Sequence, residues 1–146
     1  MKESRFQRTR SLLLSASLLF FPITTWCENI AVIVNKDNKS KISQEELKLI
    51  YKGQMNKFQN GLEISPLNQS EKTTIKTEFI RKVTQQPVSR YKSYWTRKIF
   101  TGKGVPPREI TGGDEAVKKY VEQNPEAIGY ISSSSADKTV HVLMEF

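Results

Sequence analysis

Residues 112–131, Gly-Gly-Asp-Glu-Ala-Val-Lys-Lys-Tyr-Val-Glu-Gln-Asn-Pro-Glu-Ala-Ile-Gly-Tyr-Ile, constrain the fold more than any other stretch. They spell out a helix, its stop signal and the strand that follows. Asp114 and Glu115 sit where the first turn would be and Lys118 and Lys119 come after them, an order that suits the helix dipole. Val117, Tyr120 and Val121 recur at i, i+3 and i+4, which defines one apolar face. Asn124-Pro125 ends the helix, because Pro125 lacks a donor and pushes Asn124 out of the α region. Residues 127–131 then read as a short apolar strand, and Gly129 inside it allows close backbone approach.

The same alternation runs through the rest of the chain. Residues 30–34, Ile-Ala-Val-Ile-Val, form a continuous apolar run, as in a strand covered on both faces. Ser43 and Glu46 make an S-x-x-E capping box with Ile42 and Leu47 as its staple, predicting a helix over 44–52 that buries Leu47, Ile50 and Tyr51. Residues 62–67 read as a strand, after which Ser70 can cap a helix with Ile75, Phe79, Ile80 and Val83 on one face. Pro87 separates it from a further amphipathic helix carrying Val88, Tyr91, Tyr94, Trp95 and Ile99, which ends near Gly102. The Gly- and Pro-bearing stretch up to Gly113 reads as loop, the serines at 132–135 as a solvated turn, and residues 140–144 as a last strand. Interleaved strands and helices predict an α/β layered domain. Its core should hold Leu47, Ile50, Phe79, Val83, Tyr120 and Ile128 around a small sheet that includes Val32 and Val142.

The first 27 residues read as a secretory leader. Lys2, Arg5, Arg8 and Arg10 precede an apolar run over 12–21, then Pro22, Thr24 and Thr25. That run is shorter than the ~20 residues that span a bilayer. Cleavage is expected after Cys27, and Trp26 before it does not fit a lipoprotein box. The domain proper is then 28–146, without a cysteine and so without disulfide or thiol chemistry. The leader takes four of the 23 basic and one of the 15 acidic residues, which lowers the net charge from +8 to +5. A chain of this size fits one core.

The helix followed by Asn-Pro-Glu-Ala-Ile-Gly-Tyr at 124–130 resembles the closing segment of periplasmic phosphate-binding proteins, the substrate-binding components of phosphate ABC transporters. Residues 42–53, Ile-Ser-Gln-Glu-Glu-Leu-Lys-Leu-Ile-Tyr-Lys-Gly, resemble the family's helix that ends in Gly before a Trp-containing loop, with Phe58 where Trp is common. Tyr94-Trp95, Ile99-Phe100-Thr101-Gly102 and Pro106-Pro107 look like a short, single-domain branch of the type 2 periplasmic-binding-protein superfamily. The resemblance implies a single compact lobe of that fold, a small sheet flanked by helices. It also implies a periplasmic location and binding of phosphate or a related oxyanion in ABC-type transport or sensing. The partner would be a membrane transporter or another envelope protein, with no enzymatic activity and no cofactor. The other class of function is a one-lobed accessory envelope protein that keeps the fold, lacks the small-ligand site and binds a protein partner.

Ligands of an α/β domain gather where strands run into helix N-termini, since backbone N–H groups aimed by the dipole attract anions. Residues 67–76, Leu-Asn-Gln-Ser-Glu-Lys-Thr-Thr-Ile-Lys, form such a junction. Ser70, Thr73, Thr74 and Lys76 are the candidate ligand-binding residues. By resemblance this is where phosphate-binding proteins place an Arg and a Ser-Gly-Thr turn. This sequence reproduces neither the Arg nor the Gly, and Glu71 stands near the same helix start. The same residues also read as a Ser70 N-cap followed by exposed threonines and an exposed Lys76.

Other chemistries find no support in the sequence. His141 is the single histidine, set in the terminal strand without a nucleophile partner. The carboxylates are dispersed without an EF-hand spacing, so no metal site is expected. Gly102-Lys103-Gly104 lacks the remainder of a P-loop. Residues 90–98, Arg-Tyr-Lys-Ser-Tyr-Trp-Thr-Arg-Lys, combine cations and rings as a single-stranded nucleic acid would require, but the rings fall near the apolar stripe. No nucleic-acid partner is expected. Burial of Trp95 would mark that helix as scaffold, and exposure would mark it as a recognition surface.

Overall fold

The apolar run near the start forms strand β1 (Ile30–Asn35), whose six residues are all buried in the computed structural model, which describes residues 29–70 and 73–146. The expected leader and its Cys27 boundary lie outside the described residues, as do Glu71 and Lys72. The remaining elements are α1 (Gln44–Tyr51), β2 (Ser65–Gln69), α2 (Thr74–Thr84), α3 (Val88–Phe100), β3 (Arg108–Ile110), α4 (Gly113–Gln123), β4 (Ala127–Ser132), a 3-10 turn at Ser133–Ser135 and β5 (Val140–Glu145).

The sheet is mixed, with strand order β3-β2-β4-β1-β5. β2 runs parallel to β3 and β4, while β1 is antiparallel to β4 and β5. Strand alternation sends Ile30, Val32, Val34, Ile128 and Tyr130 to one face, where they meet the buried stripes of α1, α2 and α3. Ala31, Ile33, Ala127 and Ile131 go to the other face and pack with Leu67 against Val117 and Val121 of α4. This sandwich of helices on both sides of a small sheet is the α/β lobe that the sequence predicts. α4 can approach so closely because of Gly129, where a Cβ would lie 2.7 Å from Cγ1 of Val117.

The capping box forms as written: Glu46 N–H donates to Ser43 Oγ, and Ser43 N–H donates to Glu46 Oε2 at 2.7 Å. At the other end of α1, the rings of α3 satisfy the orphan carbonyls. Tyr91 Oη and Trp95 Nε1 both donate to Tyr51 O, at 2.8 and 3.3 Å, and Tyr94 Oη donates to Lys52 O. Trp95 is 4% exposed, so Tyr91, Tyr94 and Trp95 on the inner face of α3 are scaffold, while Phe100 at its end points to solvent. A Cβ on Gly53 would meet Trp95 Cη2 at 2.6 Å, and its φ of +61° also favours glycine.

Four expectations need correction. The strand expected over 62–67 begins at Ser65, because Asn60-Gly61 makes a local turn in which Gly61 N–H donates to Phe58 O and Phe58 N–H to Leu62 O. The stretch read as loop up to Gly113 contains β3, a three-residue edge strand too short and too exposed to show alternation. Ser70 does not cap α2: its N–H still pairs with Ile110 O of the sheet, and Thr73 occupies the N-cap position. Tyr120 is half-buried, with its hydroxyl accepting from Arg108 Nη1 at 3.1 Å near the surface.

Candidate functional site

The carboxyl ends of the interior strands β2 and β4 and the starts of α2 and α4 meet at one end of the sheet. Just before α2, Thr73 N–H and Thr73 Oγ1 both donate to Ser70 O, at 3.1 and 2.8 Å. The Thr73 hydroxyl is therefore turned back to Ser70 and makes no cap bond to the first turn of α2. Thr74 is exposed and Ser70 half-buried. Lys76, two residues into the helix, is only 7% exposed, and its Nζ lies 3.5 Å from Glu109 Oε1 of β3. The structure thus gathers Ser70, Thr73 and Thr74 at the helix start and directs Lys76 toward β3.

Lys76 borders a cleft of about 260 Å3 between α2, α3 and β3, lined also by Asn68, Tyr91, Lys92, Trp95 and Glu109. Its volume lies near the lower limit of small-molecule sites, about 300 Å3. Glu109 was absent from the sequence-level candidates because β3 was not recognised. The burial of Lys76 had a visible signal, since it stands at i−3 from Phe79 and i−4 from Ile80 on the apolar face.

A second polar cluster lies beside this junction. Asp114, in the first turn of α4, accepts from Gln69 Nε2 at 2.7 Å, from Ser132 N–H at 3.0 Å and from Ser135 Oγ at 2.9 Å. Burial would raise the Asp114 pKa, but these hydrogen bonds from Gln69, Ser132 and Ser135 outweigh it and hold the carboxyl below its ordinary value. Gln69 also donates from Nε2 to Tyr130 O and from its backbone N–H to Tyr130 Oη, which in turn donates to Asn68 Oδ1 at 2.9 Å. The Tyr130 ring stacks on Phe79 with centroids 3.7 Å apart. Burial pushes its hydroxyl well above the usual phenol pKa, so it remains a proton donor. This network ties β2, β4, α4 and the 3-10 turn together, and none of it was singled out from the sequence.

The model of the PBP superfamily domain matches residues 18–142. No curated protein matches the chain. Among solved structures, the fold is similar to a protein described as a phosphate ABC transporter substrate-binding protein with bound phosphate from Clostridium perfringens, at 21% identity and TM-score 0.61 over 79% of this chain. It is also similar to an ABC-type phosphate transport receptor from Vibrio cholerae, at 19% identity and TM-score 0.56 over 80% of this chain. PstS from Borrelia burgdorferi follows at 15% identity and TM-score 0.54 over 78%. The matched regions span 44%, 45% and 46% of those three proteins, less than half of each. At these identities the likeness is one of fold, that of one phosphate-binding-protein-like lobe.

Proposed function

The chain belongs to the PBP superfamily domain family, and from that premise we propose that it is an exported solute-binding module for phosphate or a related oxyanion, serving ABC-type transport or sensing. In this reading residues 1–27 are the leader, 28–146 the periplasmic domain, and the role is binding rather than catalysis. Among the described residues no helix is long and apolar enough to cross a membrane. The observation that carries the proposal is the β2-to-α2 junction at the carboxyl end of β2, where the N-cap Thr73 places no side-chain bond on the first turn. Backbone N–H groups there can face an anion, with Ser70, Thr73 and Thr74 around them and Lys76 as the nearby cation. The structural neighbours' phosphate association supports the choice of oxyanion.

A second reading is favoured by one feature. The Lys76 ammonium already faces the Glu109 carboxylate, so an incoming anion meets a cation that is partly neutralised. In that reading the chain is an accessory envelope protein that binds a protein partner instead of a small anion. Calorimetric titration with phosphate, sulfate and a carboxylate separates the two. Saturable phosphate binding that weakens about tenfold or more in Thr73→Ala with Lys76→Ala supports the oxyanion site, at about 1.5–3 kcal/mol for each hydrogen bond to a charged group. Binding unchanged in that variant would move the site elsewhere, and no binding of any anion would favour the accessory role.

A further inference from the structure

Away from that junction, charge and exposed apolar surface converge on α3. Residues 79–108 contain eight Lys and Arg and no Asp or Glu, whereas the rest of 28–146 holds 11 basic and 14 acidic residues. Cations in the last turns of α2 and α3 suit the helix dipoles, which accounts for Arg81, Lys82, Arg97 and Lys98. It leaves Arg90, Lys92, Lys103 and Arg108, all exposed, without that explanation, and of these Arg108 donates to Tyr120 Oη. It also leaves the apolar side chains among them. Phe100 is 87% exposed and Val105 85%, with Ile99 more than half exposed beside them. Phe100 stands out beside a shallow groove along the outer face of α3 with Thr96 and Arg97, and Val105 stands out from the loop after the helix, beside Gly104.

The rest of the outward face of α3 asks for little hydrogen bonding. Ser93 Oγ donates to Ser89 O, Thr96 Oγ1 to Lys92 O and Thr101 Oγ1 to Arg97 O, each at 3.0 Å, so their protons are turned back on the helix. Lys98 is committed inward, with Nζ donating to Lys52 O and Gly53 O at 3.0 and 3.2 Å, which pins the C-terminal end of α3 to the body of the domain.

We propose that the tip of α3 and its flanking cations form a docking surface for an anionic phospholipid bilayer. Arg97 and Lys103 meet headgroup phosphates, while Phe100 and Val105 enter the boundary between headgroups and acyl chains. A bilayer fits better than an acidic protein because protein interfaces seat their anchors in matching pockets. Lipid closes around a protruding side chain without shape matching. Each cation near the surface contributes about fivefold in affinity, and the segregation of acidic residues to the rest of the domain fixes which side faces the membrane.

Flotation of the leader-free product, residues 28–146, with vesicles of phosphatidylcholine, alone or mixed with phosphatidylglycerol, tests this. Leaving out residues 1–27 removes Lys2, Arg5, Arg8, Arg10 and the apolar run at 12–21, which would bind such vesicles themselves. The wild type should favour the phosphatidylglycerol vesicles and lose that preference as salt is added. Arg97→Glu with Lys103→Glu should weaken binding about a hundredfold and Phe100→Ser with Val105→Ser about tenfold, both at the wild-type melting temperature because these side chains are exposed. If one pair fails to fold, the other decides. Equal binding by folded variants overturns the proposal. So does a wild type indifferent to phosphatidylglycerol, an outcome that would leave the surface to an acidic protein.

Discussion

Asp114 shows how far a single side chain can depart from its local reading. In sequence it is an acid in the first turn of a helix, placed well for the dipole. In the structure its two oxygens also bind Gln69, Ser132 and Ser135, which lie 18 to 45 residues away. That long-range role was illegible because only the fold brings β2 and the 3-10 turn beside α4. Ser43 and Glu46 were legible in full, since a capping box is completed within three residues. Asp114→Asn keeps the shape but turns a donor toward donors, and should cost about 1–3 kcal/mol in denaturant unfolding. The pH dependence has a definite sign. The folded pKa is lowered, so the stabilisation is present in full above the unfolded value near 3.8 and is lost as pH falls through the folded value. The acid limb of the stability curve should therefore be shallower in Asp114→Asn than in the wild type.

Among elements, legibility followed length and burial. The buried run of β1 and the amphipathic stripes of α1, α2 and α4 could be read directly, because each pattern repeats over enough residues to fix its period. β3 could not, since three residues at a sheet edge carry no periodicity and its pairing with β2 is set by position alone. The start of α2 was misplaced by three residues because Ser70 has the chemistry of a cap, while its backbone N–H is still held by Ile110 of the sheet. α2 itself is the keystone of its layer: Phe79 is fully buried, stacked on Tyr130 and edge-on to Tyr51 with centroids 4.7 Å apart. Phe79→Ala should destabilise by about 3–5 kcal/mol, read from the denaturation midpoint at an unchanged slope. A loss under about 1 kcal/mol, the scale of surface substitutions, would show that the helix does not pack as described.

At the scale of the whole molecule, the α/β lobe and its family were legible because the helix, stop and strand of 112–131 and the capped helix before Gly53 recur in the order the fold requires. The candidate site was only partly legible. The junction after β2 could be located from the sequence, but the pairing of Lys76 with Glu109 depends on a strand the sequence concealed. An oxyanion held by backbone N–H groups at the start of α2, as proposed, would perturb those amides. In a phosphate titration of the 15N-labelled protein, saturable amide shifts should concentrate at Thr74, Ile75 and Lys76, with smaller ones at Ser70 and Thr73. Saturable shifts confined to another part of the fold, or a spectrum that phosphate leaves unchanged, would contradict the proposal.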